Sequence, residues 1–284
     1  MKNKTIAVMG GGSWGTVLAN LAALNGSNVI LWMRDLAVIE QVNTTHSNKK
    51  YLPEYKLSEK VKATNALKEI SLADTVIFCV PSDSFREIVQ SASGHIKDSA
   101  HLISATKGVE ENGFSLMSNV IEEVLGSQRS IGVLSGPNLA GEIALNQITG
   151  TVIASKDKHL QNQFIEDYSS DSFRVYISDD PYGVEMGGAL KNIYAIACGI
   201  ADGLNSGENT IGMIMTRGLA EMSRLAIVMG ANPQTFLGLS GVGDLITTCA
   251  SPMSRNHKMG KYLGQGLTVN QAKIRIGQTT EGLK

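Results

Sequence analysis

An apolar run passes directly into closely spaced glycines at Thr5-Ile6-Ala7-Val8-Met9-Gly10-Gly11-Gly12-Ser13-Trp14-Gly15. The run up to Met9 is typical of a short strand, and residues 14–25 then carry apolar side chains at helical spacing, ending before Gly26. The stretch from Asn28 to Met33 predicts a second strand. Strand, glycine turn, helix and strand in this order predict a βαβ unit, in which the two strands are parallel.

The glycines of this turn match the pattern G-x-G-x-x-G through Gly10, Gly12 and Gly15. In such a turn the first glycine allows the tight bend, the second lets a pyrophosphate approach, and the third lets helix and strand pack closely. The helix that follows presents unpaired N–H groups to the phosphates. The context therefore indicates a dinucleotide site. The alternative is a glycine turn that merely connects the strand to the helix.

The residues after the second strand bear on which dinucleotide binds. An acid at this point binds the ribose 2′-hydroxyl of NAD, whereas an arginine accommodates the 2′-phosphate of NADP. The chain has Arg34 followed by Asp35, so both chemistries are represented. Arg34 comes first and favours NADP, NAD remains open, and a solvated cation at a strand end is the alternative for Arg34.

Further short apolar runs predict a larger sheet. They cover 75–80, 101–105, 130–134, 151–154 and 173–177, with helical segments between several of them. After Asp179-Asp180-Pro181 only helical patterns follow, including an apolar stripe from Ile211 to Met229 that we assign to the core. The fold class is α/β: a Rossmann-type, largely parallel sheet domain over 1–180, followed by an all-helical second domain over 181–284 that carries the substrate and catalytic groups.

The composition of the chain limits the kinds of partner that it can bind. The 284 residues are 43% hydrophobic and 18% charged, with a formal net charge of −1. This balance is typical of a globular protein and argues against nucleic acid or an anionic membrane as the main partner. No segment has the uninterrupted apolar length of a membrane span. The three cysteines have no metal-ligand spacing, so we expect no metal site, reduced thiols and a cytoplasmic location, and a homodimer is compatible with the sequence.

A second ligand is indicated by Leu239-Ser240-Gly241-Val242-Gly243-Asp244-Leu245, followed by Thr247-Thr248-Cys249 and Ser254-Arg255-Asn256. This part has too few regularly spaced apolar residues to form a core, and its glycines, hydroxyls, guanidinium and amide suit a phosphate. Lys107 and the stretch Ser135-Gly136-Pro137-Asn138 each follow a predicted strand. Since ligands of open parallel sheets bind outside the carboxyl ends of the strands, both are candidate ligand contacts, with ordinary surface loops as the alternative.

Lys191 is the candidate for proton transfer. It follows Gly187 and Gly188, which cost helix stability and therefore suggest that another segment or a ligand approaches closely. Acting near neutral pH would require its pKa to fall from about 10.4 toward 7–8, which burial near other cations can achieve. With Asp244 and Arg255 available we favour catalysis over a surface lysine. His257 remains open between an acid–base and a structural role.

At these motifs the chain resembles the bacterial NAD(P)-dependent glycerol-3-phosphate dehydrogenase family. The resembling segments are Gly10 to Gly15, Ser104 to Gly108, Ser135 to Asn138, Leu190 to Asn192, Leu239 to Leu245 and Ser254 to Asn256, and they spread in order through nearly the whole chain. The resemblance implies reversible reduction of dihydroxyacetone phosphate to sn-glycerol 3-phosphate for phospholipid synthesis. It also implies that related chains continue beyond the equivalent of Lys284.

The resemblance further implies a role for each matching residue. Lys191 would exchange the proton, with Asp244 and Lys107 organising the centre. The small phosphorylated substrate would be held by Lys107, Gly136, Asn138, Lys191, Asp244, Thr248, Ser254, Arg255 and Asn256. The cofactor, NADP or NAD, would be contacted by Gly10, Gly12, Ser13, Trp14, Gly15, Arg34, Lys107, Ala140, Arg255 and Glu281.

Two other readings compete with this one. The first is a hydroxy-acid or sugar-acid dehydrogenase that combines a Rossmann domain with a helical domain. The stretch Ser254 to Asn256 and the loop Leu239 to Leu245 argue against it. The second is a non-catalytic NAD(P)-sensing protein. Sensing requires none of Lys191, Asp244 and Arg255, so their joint presence favours an enzyme.

Overall fold

The computed structural model describes residues 4–110, 113–277 and 280–283. The chain forms two compact units. The first consists of Met1–Thr106, Met117–Leu134 and Leu139–Asp179, and the second of Lys107–Leu116, Ser135–Asn138 and Asp180–Lys284. The division into a dinucleotide-binding domain over 1–180 and a helical domain over 181–284 stays a prediction.

The first unit is built on an eight-stranded sheet in the described part of the chain. Its order is β10-β9-β8-β7-β6-β1-β2-β5, and every pair with an assigned register is parallel. The strands are β1 Thr5–Met9, β2 Asn28–Trp32, β3 Ser47–Asn48, β4 Leu52–Lys56, β5 Val61–Thr64, β6 Thr75–Phe78, β7 His101–Ser104, β8 Ile131–Ser135, β9 Thr149–Ser155 and β10 Phe173–Ser178, of which β3 and β4 form a separate antiparallel pair. The order β5-β2-β1-β6 is that of a dinucleotide fold, with the switch point between β1 and β6. The predicted fold class is confirmed.

Helices cover both faces of this sheet because its strands are apolar on both sides. Along β1, Ile6 and Val8 belong to one hydrophobic cluster, whereas Ala7 and Met9 belong to the other. The alternation follows from the two-residue period of a strand. The helices of the first unit are α1 Ser13–Leu24, α2 Leu36–Thr45, α3 Phe85–Ala92, α4 Met117–Leu125, α5 Ala140–Ala144 and α6 Lys158–Tyr168.

The sequence analysis did not predict β3, β4 and β5. β3 has two residues, and β4 contains Pro53 and is largely exposed. β5 is a four-residue edge strand that carries Lys62. None of them forms the continuous apolar run by which doubly buried strands are identified.

The second unit is helical after β10 in the described residues. Its helices are α7 Pro181–Gly203, α8 Glu208–Val228, α9 Asp244–Ala250, α10 Arg255–Gly264 and α11 Val269–Ile276. α7 begins as predicted, with Pro181 in its first turn and Asp180 accepting a hydrogen bond from the backbone N–H of Gly183 at 2.9 Å. In the described residues, no helix is both long and apolar enough to cross a membrane.

The apolar stripe on α8 is buried only in part. Met222 and Ala226 belong to the core of the second unit, but Leu225 and Met229 are 43% and 40% exposed. Assigning the whole stripe to the core was therefore wrong. Met222 and Ala226 are four residues apart and therefore lie on the same face of α8. Only this narrow face is fully buried in the core of the second unit.

Helices α7 and α10 approach so closely that their backbones touch. A Cβ atom built on Gly199 of α7 would overlap the carbonyl oxygen of His257, and one built on Gly260 of α10 would overlap that of Ile196. Glycines at such positions let helix axes come nearer than any side chain allows. The crossing fixes the second unit around α7.

We expect Gly260→Ala to lower the free energy of unfolding by about 1–3 kcal/mol, because the added methyl group overlaps backbone that side-chain motion cannot relieve. Gly212→Ala is the matched control. Nothing lies within 4 Å of a Cβ atom at Gly212 in α8, so the same change there should stabilise by up to about 1 kcal/mol. Urea unfolding measures both, and equal effects would contradict the close approach.

Candidate active site

The glycine turn of the first unit has the geometry of a phosphate-binding loop. Gly10 has φ +127°, and a Cβ atom there would overlap the carbonyl oxygen of Cys79 after β6. A Cβ atom on Gly15 would overlap the carbonyl oxygen of Gly10, whereas nothing lies within 4 Å of one on Gly12. The first and third glycines thus serve turn and packing, and the second leaves open space where a pyrophosphate would approach.

The N-terminus of α1 follows this turn directly. Gly12 is the N-cap, so no side chain caps the helix. The hydroxyl of Ser13 lies 3.4 Å from the carbonyl oxygen of Tyr51. The buried Nε1 of Trp14 has no hydrogen-bond partner among the described residues. Helix N–H groups, a hydroxyl and an indole N–H fit an anionic dinucleotide.

The other cofactor candidates of the first unit are Arg34 and Ala140. Arg34 is exposed and is the second residue after β2. Asp35 is the N-cap of α2, and its carboxylate accepts a hydrogen bond from the N–H of Val38 at 3.3 Å. Ala140 is half-buried at the start of α5.

The second unit brings Lys191 and Asp244 together. The Nζ of Lys191 donates hydrogen bonds to Oδ1 of Asp244 and, at 2.6 Å, to the hydroxyl of Thr248. Lys191 lies on α7, whereas Asp244 begins α9 and Thr248 lies one turn further along it. Lys191, Asp244 and Thr248 are 5%, 1% and 6% exposed, so these three side chains are almost completely shielded from solvent.

Burial dominates the acid–base chemistry of Lys191. Desolvation, opposed by the charge of Asp244 and assisted by that of Lys107, lowers its pKa from 10.5 to about 7. An amine with this pKa exchanges a proton at neutral pH, as the sequence analysis required of a catalytic lysine.

Lys107 completes the centre from the loop after β7. Its Nζ donates to Oδ2 of Asp244 at 2.8 Å and to the carbonyl oxygen of Gly136 at 2.7 Å. The carboxylate of Asp244 therefore bridges two ammonium groups, Lys107 and Lys191. Asn138, two residues after Gly136, is half-buried.

The glycines before Lys191 admit neighbouring segments, as predicted. A Cβ atom on Gly187 would lie 2.6 Å from the carbonyl oxygen of Ser240, and one on Gly188 would lie 2.6 Å from the hydroxyl of Ser135. The loop that leads to Asp244 therefore lies directly against α7. A side chain at Gly187 would push this loop away from α7.

A chain of amides, which the sequence analysis missed, links the remaining site residues. Asn192 donates to the carbonyl oxygen of Lys107 at 3.1 Å and accepts from Nδ2 of Asn256 at 2.8 Å. Oδ1 of Asn256 accepts from the N–H of Gly282 at 3.1 Å, which places the one-turn helix Glu281–Leu283 beside it. The feature of the sequence that could have identified Asn192 as a site residue is its position next to Lys191.

The start of α10 carries the predicted phosphate contacts. Ser254 is the N-cap, and its hydroxyl accepts from the N–H of His257 at 3.2 Å. Arg255 is exposed in the first turn. Asn256 is 9% exposed and held in the amide chain, so its side chain supports this end of the helix.

The open question about His257 has a structural answer. The ring is 6% exposed, with Nδ1 2.6 Å from the carbonyl oxygen of Cys249 and Nε2 3.0 Å from Oδ2 of Asp202. Both nitrogens are engaged in joining α10 to α9 and α7. His257 is therefore a structural residue in this arrangement.

Comparison with known proteins identifies family models, sequence relatives and a solved structure that agree with one another. Family models describing the N-terminus and the C-terminus of NAD-dependent glycerol-3-phosphate dehydrogenase match residues 5–161 and 180–284. A glycerol-3-phosphate dehydrogenase (NAD(P)+) of Acinetobacter baylyi is 51% identical over 279 residues, covering 98% of this chain and 78% of that protein. The enzyme of that name from Teredinibacter turnerae is 49% identical, with 98% and 82% covered. A crystal structure of glycerol-3-phosphate dehydrogenase from Coxiella burnetii aligns with a TM-score of 0.95 at 39% identity, covering 99% of this chain and 86% of that one.

Proposed function

The chain belongs to the NAD-dependent glycerol-3-phosphate dehydrogenase family, and on that basis we propose that Lys191 transfers the proton when dihydroxyacetone phosphate is reduced to sn-glycerol 3-phosphate. The protein is an oxidoreductase that uses NAD or NADP, and the reaction runs in both directions. Its product supplies phospholipid synthesis. A cytoplasmic location and a homodimer stay predictions.

The observation that carries the proposal is the buried ammonium group of Lys191 between Asp244 and Thr248. When bound, the reduced nicotinamide supplies the hydride that adds to the carbonyl carbon. The carbonyl oxygen then takes a proton from Lys191, which leaves a neutral amine. In the opposite direction the neutral amine of Lys191 would accept the proton of the substrate hydroxyl.

Asp244 and Lys107 position the proton donor. The carboxylate of Asp244 holds the amine of Lys191 in one orientation and opposes its desolvation. Lys107 binds the other oxygen of that carboxylate and supplies a second positive charge. This charge stabilises the alkoxide that develops on the substrate. Thr248 fixes the amine from a third direction.

The substrate phosphate is assigned to the start of α10. The ten-residue helix presents its positive end there, and Arg255 adds a guanidinium that suits a phosphate. Ser254 and Asn256 shape this end of the helix, while Gly136 and Asn138 complete the substrate contacts. In the first unit the cofactor is assigned to the turn Gly10 to Gly15, to Arg34 and to Ala140. Lys107, Arg255 and Glu281 complete the proposed cofactor contacts.

The test measures the oxidation of NADPH and of NADH by the 284-residue chain in the presence of each of three carbonyl compounds. Loss of absorbance of the reduced cofactor reports the reaction. We expect turnover with dihydroxyacetone phosphate, little with unphosphorylated dihydroxyacetone, and none with a 2-keto acid such as pyruvate. Chiral analysis of the product should give sn-glycerol 3-phosphate. Turnover of the keto acid would favour a hydroxy-acid dehydrogenase, and tight cofactor binding without turnover of any of the three would favour a sensor.

A further inference from the structure

The hairpin formed by β3 and β4 is fastened to the glycine turn. Asn48, which is fully buried, donates from Nδ2 to the carbonyl oxygen of Gly11 at 3.0 Å and to the hydroxyl of Thr16 at 2.8 Å. Gly11 belongs to the glycine turn and Thr16 to α1, the two segments that the dinucleotide phosphates would face. The connection between the two strands is thereby held beside the cofactor site of the first unit.

This attachment brings Lys50 to the residue that selects the dinucleotide. The Nζ of Lys50 lies 2.7 Å from Oδ2 of Asp35, the acid that follows Arg34 after β2. The other oxygen of Asp35 accepts the N–H of Val38 at the start of α2. Both oxygens are therefore engaged, although an acid at this point binds the ribose 2′-hydroxyl when it is free.

The pair remains charged at neutral pH. The hydrogen bond from Lys50 lowers the pKa of Asp35, and the same bond raises the pKa of Lys50. Arg34, Asp35 and Lys50 together carry one net positive charge. The ammonium of Lys50 has three donors, and one of them serves Asp35, so donors remain for a further anion.

We propose that Lys50 is a specificity-determining residue that neutralises Asp35 and, together with Arg34, selects the 2′-phosphate of NADP over the 2′-hydroxyl of NAD. The inference rests on the proposed function, for which the family allows either dinucleotide. A guanidinium and an ammonium that approach one phosphate form charge-assisted hydrogen bonds, whereas NAD offers them a neutral hydroxyl.

The experiment measures dissociation constants of NADPH and NADH by nicotinamide fluorescence, in the absence of substrate. We expect Lys50→Ala to weaken NADPH binding roughly tenfold to a hundredfold and to leave NADH binding unchanged or tighter, because the freed carboxylate of Asp35 can accept the ribose 2′-hydroxyl. Competition by 2′,5′-ADP should weaken in parallel, and competition by ADP should not. The matched control is Lys49→Ala, which removes the same charge from the neighbouring exposed residue and should leave the NADPH-to-NADH ratio within about twofold of the parent value.

A double variant tests the role of Asp35. Asp35→Asn in the Lys50→Ala background should regain part of the lost NADPH affinity, because it removes the carboxylate that Lys50 no longer neutralises. Equal losses for NADPH and NADH in Lys50→Ala, or no loss for either, would overturn the inference, as would the same ratio change in Lys49→Ala. Since no substrate is present, these titrations report cofactor choice whether or not dihydroxyacetone phosphate is reduced.

Discussion

Replacing Lys191 by methionine is expected to lower kcat for reduction of dihydroxyacetone phosphate by roughly 10²–10⁴-fold, the range that a positioned acid or base contributes. Methionine keeps most of the side-chain volume on α7 but cannot give up a proton. Binding of the reduced cofactor should change by less than about twofold, because Lys191 is not among the proposed cofactor contacts. Stopped-flow reduction and fluorescence titration measure the two quantities. Lys273→Met on the exposed face of α11 is the control and should keep the parent kcat.

The parent protein should also show opposite pH dependence in the two directions. With the pKa of Lys191 at about 7, the ammonium that reduction needs is lost as the pH rises through 7, so kcat/KM for the ketone should fall. The neutral amine that oxidation needs appears over the same interval, so kcat/KM for the alcohol should rise. Profiles with the same slope in both directions would exclude Lys191 as the proton carrier.

Replacing Asp244 by asparagine is expected to lower the free energy of unfolding by about 3–5 kcal/mol, the effect of removing one partner from a buried ion pair. Two ammonium groups, Lys191 and Lys107, lose their shared carboxylate in a place where Asp244 itself is 1% exposed. The charge of Asp244 raises the pKa of Lys191, so its loss should also move the reduction profile to lower pH. Urea unfolding and the pH profile are independent readouts of the same change.

A double variant separates the pair from its surroundings. Lys191→Met combined with Asp244→Asn should be less destabilised than the sum of the single changes, because the double variant leaves only Lys107 without its partner. Additive effects would mean that the two side chains do not interact in solution.

The sequence predicts best what depends on local pattern. The strands of the large sheet are continuous apolar runs because both of their faces are buried, and the glycine turn has a fixed spacing because each glycine meets a separate steric demand. Lys191 and Asp244 could be proposed as site residues because each lies within four residues of glycines, which lower the stability of a helix. The conformations of Gly10 and the contacts of Gly187 and Gly188 agree with those expectations.

What the sequence does not predict depends on contacts between distant residues. The hydrogen bond between Asn192 and Asn256 joins residues 64 positions apart, and no periodicity connects them. The ion pair of Asp35 with Lys50 depends on a hairpin whose strands are too short and too polar to be recognised. Along α8, helical spacing identifies an apolar face but does not tell how much of that face a neighbour covers.

The direct contact between the backbones of α7 and α10 has a consequence for substrate length. α7 carries Lys191 and α10 begins beside Arg255, and no side chain lies between the glycines at their crossing, so the two helices cannot slide or separate without breaking backbone contact. The distance from the amine of Lys191 to the proposed phosphate site at the start of α10 is therefore set by the main chain. On the proposed function, a phosphate ester with one more carbon before its carbonyl would bind its phosphate there and present the wrong atom to Lys191.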